Sequence, residues 1–245
     1  MTGSEPEAPE IAAILPNLQA AVAHHAAGQF DAAEALYEKI LARIPDLGQA
    51  LHLLGQLALA RGQAARAVDL IERAIEDLPE DQFEPHVNLG NASDAAGQPD
   101  KAEASYRSAL RIAPDCAVAH ANLAGRLNAR RAFEEALVIC EKAAPLDPAL
   151  PQTHLNHAIA LRGLFRPREA EAPLRRALAL QPDRVGTLID LASLLRQLGT
   201  IWERLNDAEQ ARAHFQRAAA LAPDTPAVWV AAGRPKSVRR QRLFI

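Results

Sequence analysis

Asparagine is the residue whose spacing suggests chemistry first. Asn88, Asn122 and Asn156 stand 34 residues apart, and Asp190 follows 34 residues later. An amide side chain donates and accepts at once, so a row at fixed rise is able to hold the backbone of an extended polypeptide in both directions. The row does not extend backward, because Leu53 and Gln19 hold the earlier equivalent positions. His86, His120 and His154 form a second row. It cannot share a metal ion, because packed helices lie ~8–10 Å apart and zinc bonds are ~2 Å long. His154 and His157 are three apart on one helix face but have no cysteine or fixed carboxylate nearby, so these histidines read as packing residues. Cys116 and Cys140 have no basic group arranged beside them to make a thiolate and read as structural. There is no glycine-rich phosphate loop, Cys-x-x-Cys pair, His-Glu-x-x-His motif or nucleophile elbow. The chain is therefore expected to be non-catalytic, with no cofactor and no metal.

The elements that would position such rows are helices. The chain has 245 residues, 49% of them apolar, 23% charged and 4% aromatic, with a formal charge of −3. About one residue in five is alanine, the best helix former, and scarce aromatic and β-branched runs argue against sheets. The fold class is all-α. The near-neutral balance excludes a polybasic nucleic-acid binder, and no run approaches the ~18 apolar residues of a membrane span. Residues 1–10 carry three Glu and two Pro with no basic residue, unlike a secretory leader. With two cysteines too few for a disulfide framework, the expected location is cytoplasmic.

Prolines reveal a period. Pro45, Pro79, Pro114, Pro148 and Pro182 are separated by 34, 35, 34 and 34 residues. Between them recur Ala50-Leu51-His52-Leu53-Leu54-Gly55 with Gly62, Ala67, Ile71 and Ala74, then Pro85-His86-Val87-Asn88-Leu89-Gly90 with Gly97, Ala102, Tyr106 and Ala109. Two further copies carry Ala124, Ala136, Cys140 and Ala158, Ala170, Leu174, and an earlier, looser one carries Gly28, Ala33 and Tyr37. The pattern resembles the tetratricopeptide repeat over roughly residues 12 to 232. The resemblance implies a right-handed superhelical solenoid of antiparallel helix pairs, in which small residues let helix A sit close to helix B and larger ones fill the space between neighbours. It divides the chain into a disordered acidic start (1–10), about six repeats plus a partial seventh (11–232) and a basic tail (233–245). Pro173 falls inside a helix and is expected to kink it. Phe165-Arg166-Pro167 replaces the usual glycine turn, and Thr200 to Asn206 are extra in the sixth copy.

Helix A of each pair should line a concave wall, so the asparagine row should face a groove. The His-x-Asn-Leu-Gly stretch is similar to the repeats of O-linked N-acetylglucosamine transferases and their bacterial relatives, in which an asparagine ladder holds protein substrates. That implies groove roles for Asn88, Asn122 and Asn156, with Asp190 as a departure, beside Asn91, Asp94, Asn128, Arg162 and Arg196. The same amides could equally serve hydrogen bonds between helices, and the residues alone leave both readings open. Lys39, Lys101 and Lys142 fall on B helices, so recognition of a carboxylate tail by groove lysines is not expected, though Arg162 and Arg196 could hold an acidic partner. The expected function is a scaffold that binds an extended or helical peptide segment of a protein, with self-association through exposed repeat ends also open. The alternative is the substrate-recruiting arm of a glycosyltransferase or sulfotransferase.

Overall fold

The computed structural model describes residues 8–181, and within them the chain is helical throughout its regular structure. Ten helices follow one another: α1 (Ala8–Ala26), α2 (Phe30–Leu41), α3 (Gly48–Ala60), α4 (Ala64–Asp77), α5 (Glu84–Ala95), α6 (Pro99–Ile112), α7 (Ala117–Ala129), α8 (Phe133–Leu146), α9 (Pro151–Gly163) and α10 (Pro167–Leu180). They form five A/B pairs, matching the first five copies of the sequence pattern, and the fold is an all-α solenoid of helix pairs. The first helix begins at Ala8, inside the segment expected to lack structure. α10 runs unbroken through Pro173, as α8 does through Pro145. The sixth and seventh copies, with Asp190, Arg196, the Thr200 to Asn206 insertion and the basic tail, lie outside the described residues.

The chain divides into two compact units, Met1–Ala119 and His120–Ile245. In the first, α1, α3 and α5 neighbour one another as helices A, and each packs on its own B helix, α2, α4 or α6. In the second, α9 packs on both α8 and α10.

One contact explains the period. The large residues at a fixed place on helix B, Tyr37, Ile71, Tyr106, Cys140 and Leu174, are all at most 2% exposed. Opposite them helix A carries a small residue. A Cβ placed on Gly55 would lie 2.5 Å from Ile71 Cγ1, and one on Gly90 would lie 2.3 Å from the Tyr106 ring. Neither position can hold a side chain while its partner stays where it is. Ala33, Ala67, Ala102, Ala136 and Ala170 on the B helices are fully buried and let the backbones close up from the other side.

The turn from helix A to helix B also recurs. Gly28, Gly62 and Gly97 have φ of 72°, 76° and 72°, and the equivalent residues in the next two copies are Arg131 at 65° and Phe165 at 58°. Each donates its N–H three residues back, to His25, Leu59, Asp94, Asn128 and Arg162 in turn, while the following residue reaches five back. This is the pair of bonds that closes a helix end through a left-handed residue. The geometry is kept where glycine is lost, so Arg131 and Phe165 carry backbone strain. Phe165 is also 92% exposed and gains no burial in return.

Repeats one and two are further joined by charge. Arg61 pairs with Asp31 and Glu34, and Arg66 with Glu34 and Glu38. Glu34 thus sits half-buried between two guanidinium groups.

Two outcomes follow. Gly90→Ala should cost about 2 kcal/mol by overpacking, and Tyr106→Leu, which copies the Ala158/Leu174 pairing, should be less damaging in that background than in the native chain. Denaturant melts of the four proteins of the cycle measure this. Phe165→Gly should raise stability by about 0.5–1 kcal/mol by relieving the left-handed residue, read as a shift in the urea midpoint.

Candidate functional site

On the first unit's A helices, a polar cluster sits one turn above the buried contact. His52 on α3 faces Asn88 on α5, with Asn88 Nδ2 2.9 Å from His52 Nε2, while Gln56 Nε2 lies 3.1 Å from the same nitrogen. Two amide groups aim donors at that nitrogen, so it accepts and the proton sits on Nδ1. Burial holds the His52 pKa below the ordinary value, with Glu84 partly offsetting it. Asn88 is half-buried. Its single bond to His52 leaves its Oδ1 and second N–H available for another chain.

Further along α5, Asn91 and Asp94 converge on the one hydroxyl of the neighbouring B helix. Tyr106 Oη lies 2.9 Å from Asn91 Oδ1 and 3.1 Å from Asp94 Oδ2. A phenol has one proton, which the carboxylate takes more strongly than a neutral amide. Asn91 and Asp94 are therefore tied to the buried contact, and their orientation is set from behind. In the first repeat the equivalent Tyr37 is fully buried with no partner for its hydroxyl.

The second unit spends its amides differently. Asn156 is 3% exposed and donates from Nδ2 to the Ala121 carbonyl at 2.8 Å. Asn128 is also buried and donates to the Asn156 carbonyl at 2.9 Å. These amides brace α9 against α7. Asn122 is half-buried on α7, and Arg162 is half-buried in the last turn of α9. Of the two readings left open for the asparagine row, Asn88 and Asn156 both make the bond between helices; Asn88 alone of the two also keeps access to solvent.

Burial first, and Glu141 second, push the Cys140 thiol up to about 12, so it stays protonated at neutral pH. Among the described residues no group of three His, Cys, Asp or Glu is placed to hold a metal ion, and no helix is long and apolar enough to cross a membrane.

His52 and Gln56 were not among the residues singled out from sequence. The available signal was a mismatch within a column: His52 stands where the later repeats carry the apolar Val87, Ala121 and Leu155. Tyr106 stood out only as a filler of space, and its bond to Asn91 and Asp94 is a feature of packing across two helices.

Three family models described as tetratricopeptide repeat match residues 24–86, 87–151 and 194–225, together well over half of the chain. The chain belongs to the tetratricopeptide repeat family. Solved structures agree on the fold. YrrB, described as a TPR protein with an unusual peptide-binding site, superposes with a TM-score of 0.61 at 20% identity, covering 71% of this chain and 90% of YrrB. MamA from Desulfovibrio magneticus RS-1 gives 0.60 at 19% identity, covering 74% and 98%. The Cut9–Hcn1 assembly of the APC/C gives 0.69 at 15% identity, covering 93% of this chain and 43% of that one. Among curated proteins, cellulose synthase operon protein C of Xanthomonas axonopodis pv. citri (strain 306) is 36% identical over 152 residues, 59% of this chain. The match spans 10% of that relative's length.

Titration offers a check on these repeats. His52, His86 and His157 are all held below 6.5, in each case chiefly by burial. An unfolded chain binds protons at these positions before the folded one does, so stability is complete above 6.5 and is lost as pH falls through the lower folded values. The melting temperature should drop between pH 7.5 and pH 5, and His52→Gln, which keeps an acceptor for Asn88, should flatten that slope.

Proposed function

We propose that this repeat protein is a non-catalytic scaffold that binds a peptide segment of a partner protein along the polar face of its A helices. The observation that carries the reading is Asn88. Its amide is half-exposed, fixed in direction by His52, and retains one acceptor and one donor at the spacing a peptide unit presents. Asn91 and Asp94 continue the same face and are held by Tyr106, so the wall is ordered before a partner arrives, which lowers the entropic cost of binding. Asn122 and Arg162 are the second unit's half-buried contributions; the buried Asn128 and Asn156 support them by keeping α7 and α9 in register. Asp190 and Arg196 extend the same reading into residues outside the described part.

Backbone clamping of this kind gives affinity with little preference for sequence, and the partner is therefore expected to be an extended segment. The chain supplies no catalysis in this reading, and its partners are proteins and not nucleic acids.

A second reading has its own support. The match to a protein named for a cellulose synthase operon, 36% identical over 152 residues, favours a place in carbohydrate-polymer synthesis. There the repeats would recruit or position a glycosyltransferase, which keeps the recruiting-arm alternative and removes any need for chemistry in this chain.

The test replaces Asn88 and Asn122 with alanine together and compares proteins retained from a native lysate by quantitative mass spectrometry. Retention of the specific partners should fall by about tenfold, the loss of roughly 1.4 kcal/mol, with the helical signal unchanged. Equal retention by the two proteins would refute the groove. A glycosyltransferase among the lost partners would select the second reading.

A further inference from the structure

The loop edge of the first unit carries a cavity away from the polar wall. It encloses about 360 Å³ and lies where three helix ends meet: the end of α4, the start of α5 and the end of α6. That volume is at the small end of ligand sites, which run from ~300 to 1,000 Å³. It suits a small molecule better than a length of chain.

Its lining is of three kinds. Ile75, Leu78 and Ile112 give an apolar floor, Arg111 a fixed positive charge and Glu80 a negative one. Among the described residues neither charge is paired with an opposite one. Among the described residues Arg111 bonds to Ser108 Oγ at 3.0 Å, and Glu80 makes no ion pair or hydrogen bond. Opposite charges sharing a small cavity without pairing each other leave room for a ligand between them. His86 also lines the space. Burial, and then the charge of Arg111, hold its pKa down. Arg111 is thus the cavity's only cation at neutral pH, with His86 contributing one N–H and one lone pair.

The ligand these walls describe has an apolar body, one positive group and one negative group. We propose that the cavity binds a free α-amino acid with a large apolar side chain, its carboxylate on Arg111, its ammonium on Glu80 and its side chain against Ile75, Leu78 and Ile112. A chain terminus is a poorer fit. It brings one charge and an amide, and would leave either Arg111 or Glu80 unanswered beside an apolar floor. The site is separate from the Asn88 wall and does not depend on it.

The experiment titrates the full chain with L-leucine and follows the methyl resonances of Ile75 and Ile112. Saturable shifts at these methyls are expected, with a dissociation constant of about 1 mM, reasonable for a ligand of so few atoms. Arg111→Gln and Glu80→Gln should each weaken binding about tenfold, and so should 4-methylpentanoate and 3-methylbutylamine, which each lack one charge. Both substituted side chains are at the surface, so the variants should melt with the native protein. Absence of saturable shifts overturns the proposal. So does binding of 4-methylpentanoate as tight as that of leucine, or leucine affinity unaltered by Glu80→Gln, since either result removes the role given to the second charge.

Discussion

In each described repeat helix A and helix B come so close that one of two facing residues must be small, a glycine or an alanine. The pairs Ala21 and Tyr37, Gly55 and Ile71, Gly90 and Tyr106, Ala124 and Cys140, and Ala158 and Leu174 hold the same places in successive copies. The bulk moves between partners while the contact stays: glycine faces isoleucine and tyrosine, and alanine faces tyrosine, cysteine and leucine. Close packing explains why a chain with 4% aromatic residues still forms a dry interior. It also explains the abundance of alanine, which appears on both sides of the contact. Since one helix pair is too thin to bury both of its faces, each repeat borrows the rest of its core from its neighbour.

With the backbone satisfied inside helices and the core supplied by small and large apolar residues, polar side chains at the A-helix face are free to take other work. Two kinds of work are visible. In the second unit, Asn128 and Asn156 are buried and their donors go to main-chain carbonyls of neighbouring helices, because a buried amide left unpaired would cost about 1–3 kcal/mol. In the first unit, Asn88 meets an imidazole in place of a carbonyl and remains half-exposed. His52 makes the difference: it offers a ring nitrogen where the later repeat offers the Ala121 carbonyl, and the asparagine it holds stays half-exposed. An outward amide held on one side suits the proposed peptide clamp, and in that proposal the residue beside each asparagine decides whether it is available.

Much of the fold was legible because the contact is local and repeated. Prolines at 34- and 35-residue intervals, alanines at fixed offsets and a filler at a constant distance are read off one strand of letters. The helix turns were legible at Gly28, Gly62 and Gly97, and hidden at Arg131 and Phe165, where tertiary packing forces a left-handed residue against its own preference. The site was less legible. Equal spacing made Asn88 and Asn156 look alike, whereas burial separates them, and burial depends on residues 34 or more positions away. Tyr106 illustrates the same limit: its size declares a core role, but its hydroxyl serves Asn91 and Asp94 on another helix.

Arg111 departs from the repeat without disturbing its frame. The equivalent residues in neighbouring copies are Glu76, Pro145 and Ala179, so nothing in the packing of a helix pair calls for a cation there. A guanidinium at a solvent-facing helix end is worth little to stability when its one bond among the described residues is to a serine hydroxyl three residues back. What the position does have is geometry, since three helix ends of two successive repeats meet around it and the small-to-large contact nearby keeps them still. The fold leaves this junction after α4, and the side chains that surround it are unconstrained by the period. Variation at this junction, and at the residue beside each asparagine, leaves the small-to-large core contacts in place, which is why both proposed sites are compatible with the repeat.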